Sequence, residues 1–86
     1  MQYGQPEPPV EYDTDKVDDA VLALLYLTRC EGGTRAWKGH SWNALDRLHQ
    51  KGFISTPRTR NKSVFLTTEG RLKAEQLFHQ FFGKNP

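Results

Sequence analysis

Eight consecutive apolar residues, Ala20 to Leu27 (AVLALLYL), stand in a chain of only 86. The run is far shorter than the roughly 20 residues a membrane-spanning helix needs, so protein has to hide it. Val17, Ala20, Val21, Leu24 and Leu25 follow the helical period of about 3.6 residues. Leu22, Tyr26 and Leu27 widen that stripe until the helix is apolar on nearly every side. Such a helix has to be covered from more than one direction, which predicts a central core helix. Asp13, Thr14 and Asp15 offer capping oxygens at a start near Asp15, and Asp18 and Asp19 put negative charge on the positive helix end. Gly32-Gly33, just past Glu31, supplies a stop.

A chain this short makes one domain. Its lone cysteine, Cys30, rules out an internal disulfide framework. That usage, with no charged-then-apolar leader at the start, predicts a reducing, cytoplasmic setting. Pro6, Pro8, Pro9 and Gly4 make residues 1–12 a flexible tail, from which Tyr3, Val10 and Tyr12 can adhere to the domain or to a partner. The folded domain is expected over residues 13–83.

Beyond the first helix, Arg35-Ala36-Trp37 is long enough for one short strand alongside the later hairpin but too short to demand one, and Trp37 is expected to lid the core. Ser41 caps a second helix, Trp42–Lys51, which Gly52 closes. On it Ala44, Leu45 and Leu48 point inward, Trp42 lies at the edge, and Asn43, Asp46, Arg47 and Gln50 fall outside. Phe53–Thr56 and Ser63–Leu66 read as two strands by their β-branched and aromatic content, joined by the polar, basic link Pro57–Lys62. Thr67 or Thr68 caps a last helix that runs to about Phe82 and stops at Gly83. Ala74, Leu77, Phe78 and Phe81 form its stripe, with Leu72 and Phe82 off it. A two-stranded ribbon is not stable alone, so the helices must cover it. The expected fold is α+β, mainly α: three helices plus a β-hairpin.

The stretch ALDRLHQKGFI…KSVFLTTEGRLKA, Ala44 to Ala74, resembles the end of many bacterial winged-helix transcriptional regulators: a leucine-patterned helix, Gly, an apolar pair, a variable wing and a closing Leu-Thr-x-x-Gly. Asp15 to about Phe82 is also similar to a family of small uncharacterised bacterial proteins, on the pattern DKVDDAVLALLYL…AWKGHSWNALDRLHQKGFI…KSVFLTTEG. The resemblance implies an abbreviated winged helix. It departs from the full pattern where only Cys30 to His40 separates the first helix from the second, leaving no helical period for the first member of a helix-turn-helix.

Charge is unevenly spread. Six acids and one base lie between Met1 and Ala20; eight bases and two acids lie between Arg29 and Lys62. The basic middle reads either as an ordinary solvated face or as a binding surface. If DNA is the partner, Asn43, Arg47, Gln50 and Lys51 on the second helix and Arg58, Arg60 and Lys62 on the wing are the candidates, since Asn and Gln suit adenine, Arg suits guanine and wing bases suit phosphates. Asp46 would repel phosphate there unless Arg47 or Lys51 neutralised it. If protein is the partner, Trp37 and Trp42 beside the basic middle, and Leu72, Phe78, Phe81 and Phe82 on the last helix, are the candidates. The resemblance implies a homodimer through that helix.

Cys30, His40, His49 and His79 show no metal-ligand spacing, and a thiol at a helix C-terminus is not activated. No catalytic residue, metal or cofactor is therefore expected, and the chain does not read as an enzyme. Two functions follow: a DNA-binding regulator, or a protein-interaction module (an accessory or inhibitor protein) that keeps the winged-helix frame without touching DNA.

Overall fold

The computed structural model describes residues 11–30 and 35–84, with the backbone alone for Cys30 and Trp37. The Tyr3 and Val10 contacts and the Gly32-Gly33 stop lie outside the described residues. Three helices and a short antiparallel sheet follow one another as α1 (Thr14–Leu27), β1 (Arg29–Cys30), β2 (Arg35–Trp37), α2 (Trp42–Gln50), β3 (Ser63–Phe65) and α3 (Thr68–Phe82). The fold is α+β and mainly helical, as the patterning predicts.

Asp13 caps α1, its side chain accepting from the backbone N–H groups of Asp15 and Lys16 at 3.0 and 3.2 Å. Asp18, Val21, Leu22, Ala23 and Leu25 are buried. Ala23 lies roughly 100° round the helix from Leu22, so α1 is covered from two sides and stands at the centre. Leu24 is only half-buried and Leu27 is exposed, so the stripe is narrower at that end than the apolar run suggested.

The helix also stops earlier than expected. The Thr28 hydroxyl donates to the carbonyls of Leu24 and Leu25, closing the last turn. Arg29 and Cys30 then pair with Ala36 and Arg35 instead of extending α1 towards Glu31. Strand pairing, which a local reading does not see, captures those two residues.

β2 is central in the order β1-β2-β3, and all pairings are antiparallel. Its residues Arg35, Ala36 and Trp37 oppose Phe65, Val64 and Ser63. The three-residue segment that was long enough for a strand is thus the middle of the sheet. Ala36 and Val64 are buried on the face towards the core, while Phe65 is exposed on the other.

The expected partner of β3, Phe53–Thr56, is reduced to a bridge between Ile54 and Leu66. Ser55 donates its N–H to the Phe65 carbonyl, but its side-chain oxygen, not a backbone carbonyl, accepts from the Phe65 N–H. Pro57 follows two residues later with no N–H to offer, so the ladder cannot lengthen.

Ser41 caps α2. Its end is closed by a paired turn in which the Gly52 N–H reaches the His49 carbonyl and the Phe53 N–H reaches the Leu48 carbonyl. That turn holds Gly52 at φ 82°, where a side chain would be strained. Thr67 caps α3 by accepting from the Gly70 N–H, while its hydroxyl donates to the Gly52 carbonyl at 2.7 Å. The first turn of α3 is therefore tied to the end of α2. Gly70 lies so close to the Phe53 carbonyl that a Cβ would stand 1.8 Å from its oxygen. Leu22, Leu25, Leu45, Leu48, Ile54 and Val64 fill the core between α1, α2 and the sheet.

Candidate nucleic-acid interface

The outer side of α2 divides into two halves with different partners. At its C-terminal half, Arg47 and Lys51 are one helical turn apart and therefore share a face. Both turn back to α1, where Asp18 is 0 % exposed. The Arg47 guanidinium reaches both Asp18 oxygens, at 2.9 Å from Nε and 2.8 Å from Nη2, and Lys51 Nζ adds a third donor at 2.9 Å. Lys51 also pairs with the exposed Asp15 at 3.2 Å. Burial alone would push the Asp18 carboxyl up. The hydrogen bonds and charges of Arg47 and Lys51 outweigh burial and hold it below its ordinary value. For Lys51, burial works against the charge, and its bonds to Asp18 and Asp15 more than restore it, so its pKa is raised.

Asp18 was read from sequence only as helix-end charge. The sign of its role was nevertheless present, since Asp18, Val21, Leu22 and Leu25 occupy positions i, i+3, i+4 and i+7 of one stripe. A carboxylate inside an apolar stripe needs cations, and Arg47 and Lys51 are spaced to supply them together.

At the N-terminal half, Trp42 and Asn43 are exposed, Trp42 at 49 %. The basic loop over residues 57–62 folds beside them. Lys38, at the end of β2, donates its ammonium to the carbonyls of Pro57 and Thr59 at 2.6 and 2.8 Å, clasping the loop. Arg58 pairs with Asp46 through two nitrogens, at 2.6 Å from Nη2 and 3.3 Å from Nε. That bond and the Asp46 charge raise the Arg58 pKa. Asp46 is thus neutralised by Arg58 from the 57–62 loop, in place of Arg47 or Lys51. The guanidinium of Arg58 and the ammonium of Lys38 lie 5.1 and 5.8 Å from the centre of the Trp42 ring, within cation–π range. Arg60 and Lys62 are exposed on the same loop, and Gln50 is exposed two turns further along α2.

The structure therefore groups Trp42 with Arg58 and the unforeseen Lys38, leaves Arg60 and Lys62 exposed on the same loop as Arg58, and turns Arg47 and Lys51 to Asp18 instead. Lys38 was legible only as one base among eight; its role depends on which carbonyls the loop presents.

The second set of candidates lies at the far end of α3. Phe78 is half-buried against Tyr26, their ring centres 5.2 Å apart; Phe82 follows at 5.3 Å from Phe78, and Phe81 at 6.1 Å from Phe82. Arg29 covers the Tyr26 ring at 3.7 Å. Phe81 and Phe82 remain largely exposed. Leu72 is exposed too but stands apart, about 200° round the helix from buried Ala74. The Trp37 side chain lies outside the described residues. Among the described residues no group of three or more His, Cys, Asp or Glu side chains is placed to hold a metal ion, and no helix is long and apolar enough to cross a membrane.

Residues 13–84 match a family described as "Domain of unknown function (DUF6429)". The chain is also similar to the uncharacterized protein y4hR of Sinorhizobium fredii (strain NBRC 101917 / NGR234), at 49 % identity over 77 residues, covering 85 % of this chain and 97 % of that protein. No solved structure matches.

Proposed function

We propose that this chain, which belongs to the DUF6429 family, is a small winged-helix DNA-binding protein, of the kind that regulates transcription, and that it meets DNA with the first turn of α2 and the 57–62 wing. The observation that carries this reading is the convergence of the clasped Arg58 and Lys38 on exposed Trp42 at the start of α2, with Asn43 exposed beside it and Arg60 and Lys62 exposed on the same loop as Arg58. A helix N-terminus carries partial positive charge and favours phosphate. Recognition helices place their N-terminal residues nearest the bases, which gives Asn43 a base-edge role and Arg60 and Lys62 phosphate roles. Arg47 and Lys51 leave the interface in this reading, because moving them to DNA would strand the buried Asp18.

Titration of labelled duplex DNA at several salt concentrations tests it. Arg60→Ala with Lys62→Ala should flatten the slope of log K against log salt by about 1.8, roughly 0.9 for each lost phosphate contact. Equal binding by the double variant and the parent at every salt concentration would remove the wing from the interface.

A second reading, a protein-interaction module, is favoured by the Tyr26–Phe78–Phe82–Phe81 row. Two such rows facing each other across a two-fold axis would make a homodimer. A homodimer is compatible with DNA binding as well, since the row and the 57–62 loop lie on different elements, whereas the interaction-module reading leaves DNA untouched.

A further inference from the structure

We infer that the nucleic acid held at this site is an unpaired strand, DNA or RNA, with a base stacked on Trp42. This rests on the DNA-binding reading above and narrows it. Duplex reading by a helix needs side chains that reach base edges and a preceding helix that sits across the phosphate backbone. Here the β1–β2 hairpin occupies the chain between α1 and α2, where that preceding helix would stand. On α2, Arg47 and Lys51 are committed to Asp18, which leaves Asn43 and Gln50 for base edges on either side of acidic Asp46. That is a thin reading surface.

An unpaired strand asks for something else: an open aromatic face with cations around it, indifferent to sequence because every base has a π-face. Trp42 supplies the ring, 49 % exposed on the first residue of α2. Its surroundings are already fixed. Asp46 holds Arg58, and two loop carbonyls hold Lys38, so both cations stand over or beside the indole before any ligand arrives. A base can stack on the open part of the indole or on the Arg58 plane, while its phosphates run along Arg60 and Lys62. Fixed partners spare the strand the entropy of ordering the site.

The test measures fluorescence anisotropy of three labelled probes against the full chain at one salt concentration. The probes are oligo-dT and oligo-U of about 12 nucleotides, within the usual site size of small strand binders, and a duplex of matching length. Trp42→Ala, Trp42→Phe and the Arg60→Ala/Lys62→Ala pair are compared with the parent. The expected result is tighter binding of an unpaired probe than of the duplex. Trp42→Ala should weaken strand binding by about 5- to 150-fold, the span seen when one stacking ring is lost, and Trp42→Phe should keep most of it. Quenching of tryptophan fluorescence by oligo-dT should fade in Trp42→Phe, where Trp37 alone remains. The dT and U arms say which strand is preferred, and either supports the inference. Duplex preferred, with Trp42→Ala harmless, overturns the unpaired-strand inference and leaves the DNA-binding reading standing. Strand binding that falls with the wing pair but not with Trp42→Ala overturns stacking. No probe bound even at low salt overturns the inference and the DNA-binding reading together. Because Trp42 is outside the core, an unchanged thermal midpoint in Trp42→Ala separates a lost contact from a lost fold.

Discussion

Replacing Asp18 by Ala should cost about 2–4 kcal/mol at neutral pH. The carboxylate is wholly buried and accepts from Arg47 Nε, Arg47 Nη2 and Lys51 Nζ, all within 2.9 Å. Hydrogen bonds to charged groups are worth about 1.5–3 kcal/mol each, but these three belong to two side chains and do not add. Removing one member of a fully buried pair costs about 3–5 kcal/mol because the other charge is stranded. Here the cations keep 29 % and 34 % side-chain exposure, so they can turn to water, and the expected cost falls below the upper limit. A domain of this size has roughly 4–10 kcal/mol in all, so the variant should be visibly less stable. Urea unfolding followed by circular dichroism gives the difference. Asp15→Ala is the internal control: its carboxylate is 82 % exposed and pairs with the same lysine, so it should cost less than about 1 kcal/mol.

The pH dependence supplies a second check. Because the folded-state pKa of Asp18 lies below its ordinary 3.8, the stabilisation is complete well above that value. It is lost as the pH falls through 3.8 towards the folded pKa and the carboxyl takes up its proton in the native state. The gap between the parent and Asp18→Asn should therefore be constant from about pH 7 to 5 and narrow below about pH 4. A gap under about 1 kcal/mol at pH 7, or one that does not change with acid, would refute the buried-pair reasoning.

Other perturbations follow from the packing. Gly70→Ala should destabilise, whereas the same change at an open helical site stabilises by about 0.4–1 kcal/mol, since its Cβ would meet the Phe53 carbonyl and force α3 off the end of α2; a thermal midpoint equal to or above the parent's would contradict that approach. Leu22→Ala should cost about 2–5 kcal/mol by leaving a cavity, and Leu24→Ala distinctly less because Leu24 is half-buried; equal urea midpoints for the two would count against the placement of α1. Phe82→Glu should shift a dimer to monomer in sedimentation velocity with little loss of stability, as Phe82 is 52 % exposed; a parent that is monomeric at high concentration would dispose of the dimer.

Much of this fold is local, and the local part was legible. Ser41, Thr67 and Gly52 mark helix ends because capping oxygens and a left-handed glycine act on the nearest few backbone groups. The apolar run from Ala20 to Leu27 dictated a central helix, since no other place in a chain of 86 residues hides it. The inward face of α2 followed from period alone, and that of α3 as far as Ala74, Leu77 and half-buried Phe78, while Phe81 of the same expected stripe is exposed because the helix end runs past the core. The basic wing and the exposed Trp42 could be named as candidates, because charge and aromatic content do not depend on the fold.

Tertiary structure decided what those residues touch. Arg47, Lys51, Arg58 and Lys38 are all cations in one basic stretch; the i, i+4 spacing of Arg47 and Lys51 lets those two act together, but nothing local says that they neutralise Asp18, that Arg58 faces Asp46 or that Lys38 clasps a loop. Those assignments depend on the packing of α1 against α2 and on the path of the chain from Pro57 to Lys62. Strand pairing was only partly legible: Arg35–Trp37 beside the hairpin was one possibility, but Arg29 and Cys30 leaving the helix to pair with it, and Phe53–Thr56 shrinking to a bridge, were not. A strand's partner is chosen by contacts between residues far apart in sequence. Helix ends and core stripes are written in neighbouring residues; the electrostatic partners that define this surface come from segments up to 36 residues apart, and only the folded chain brings them together.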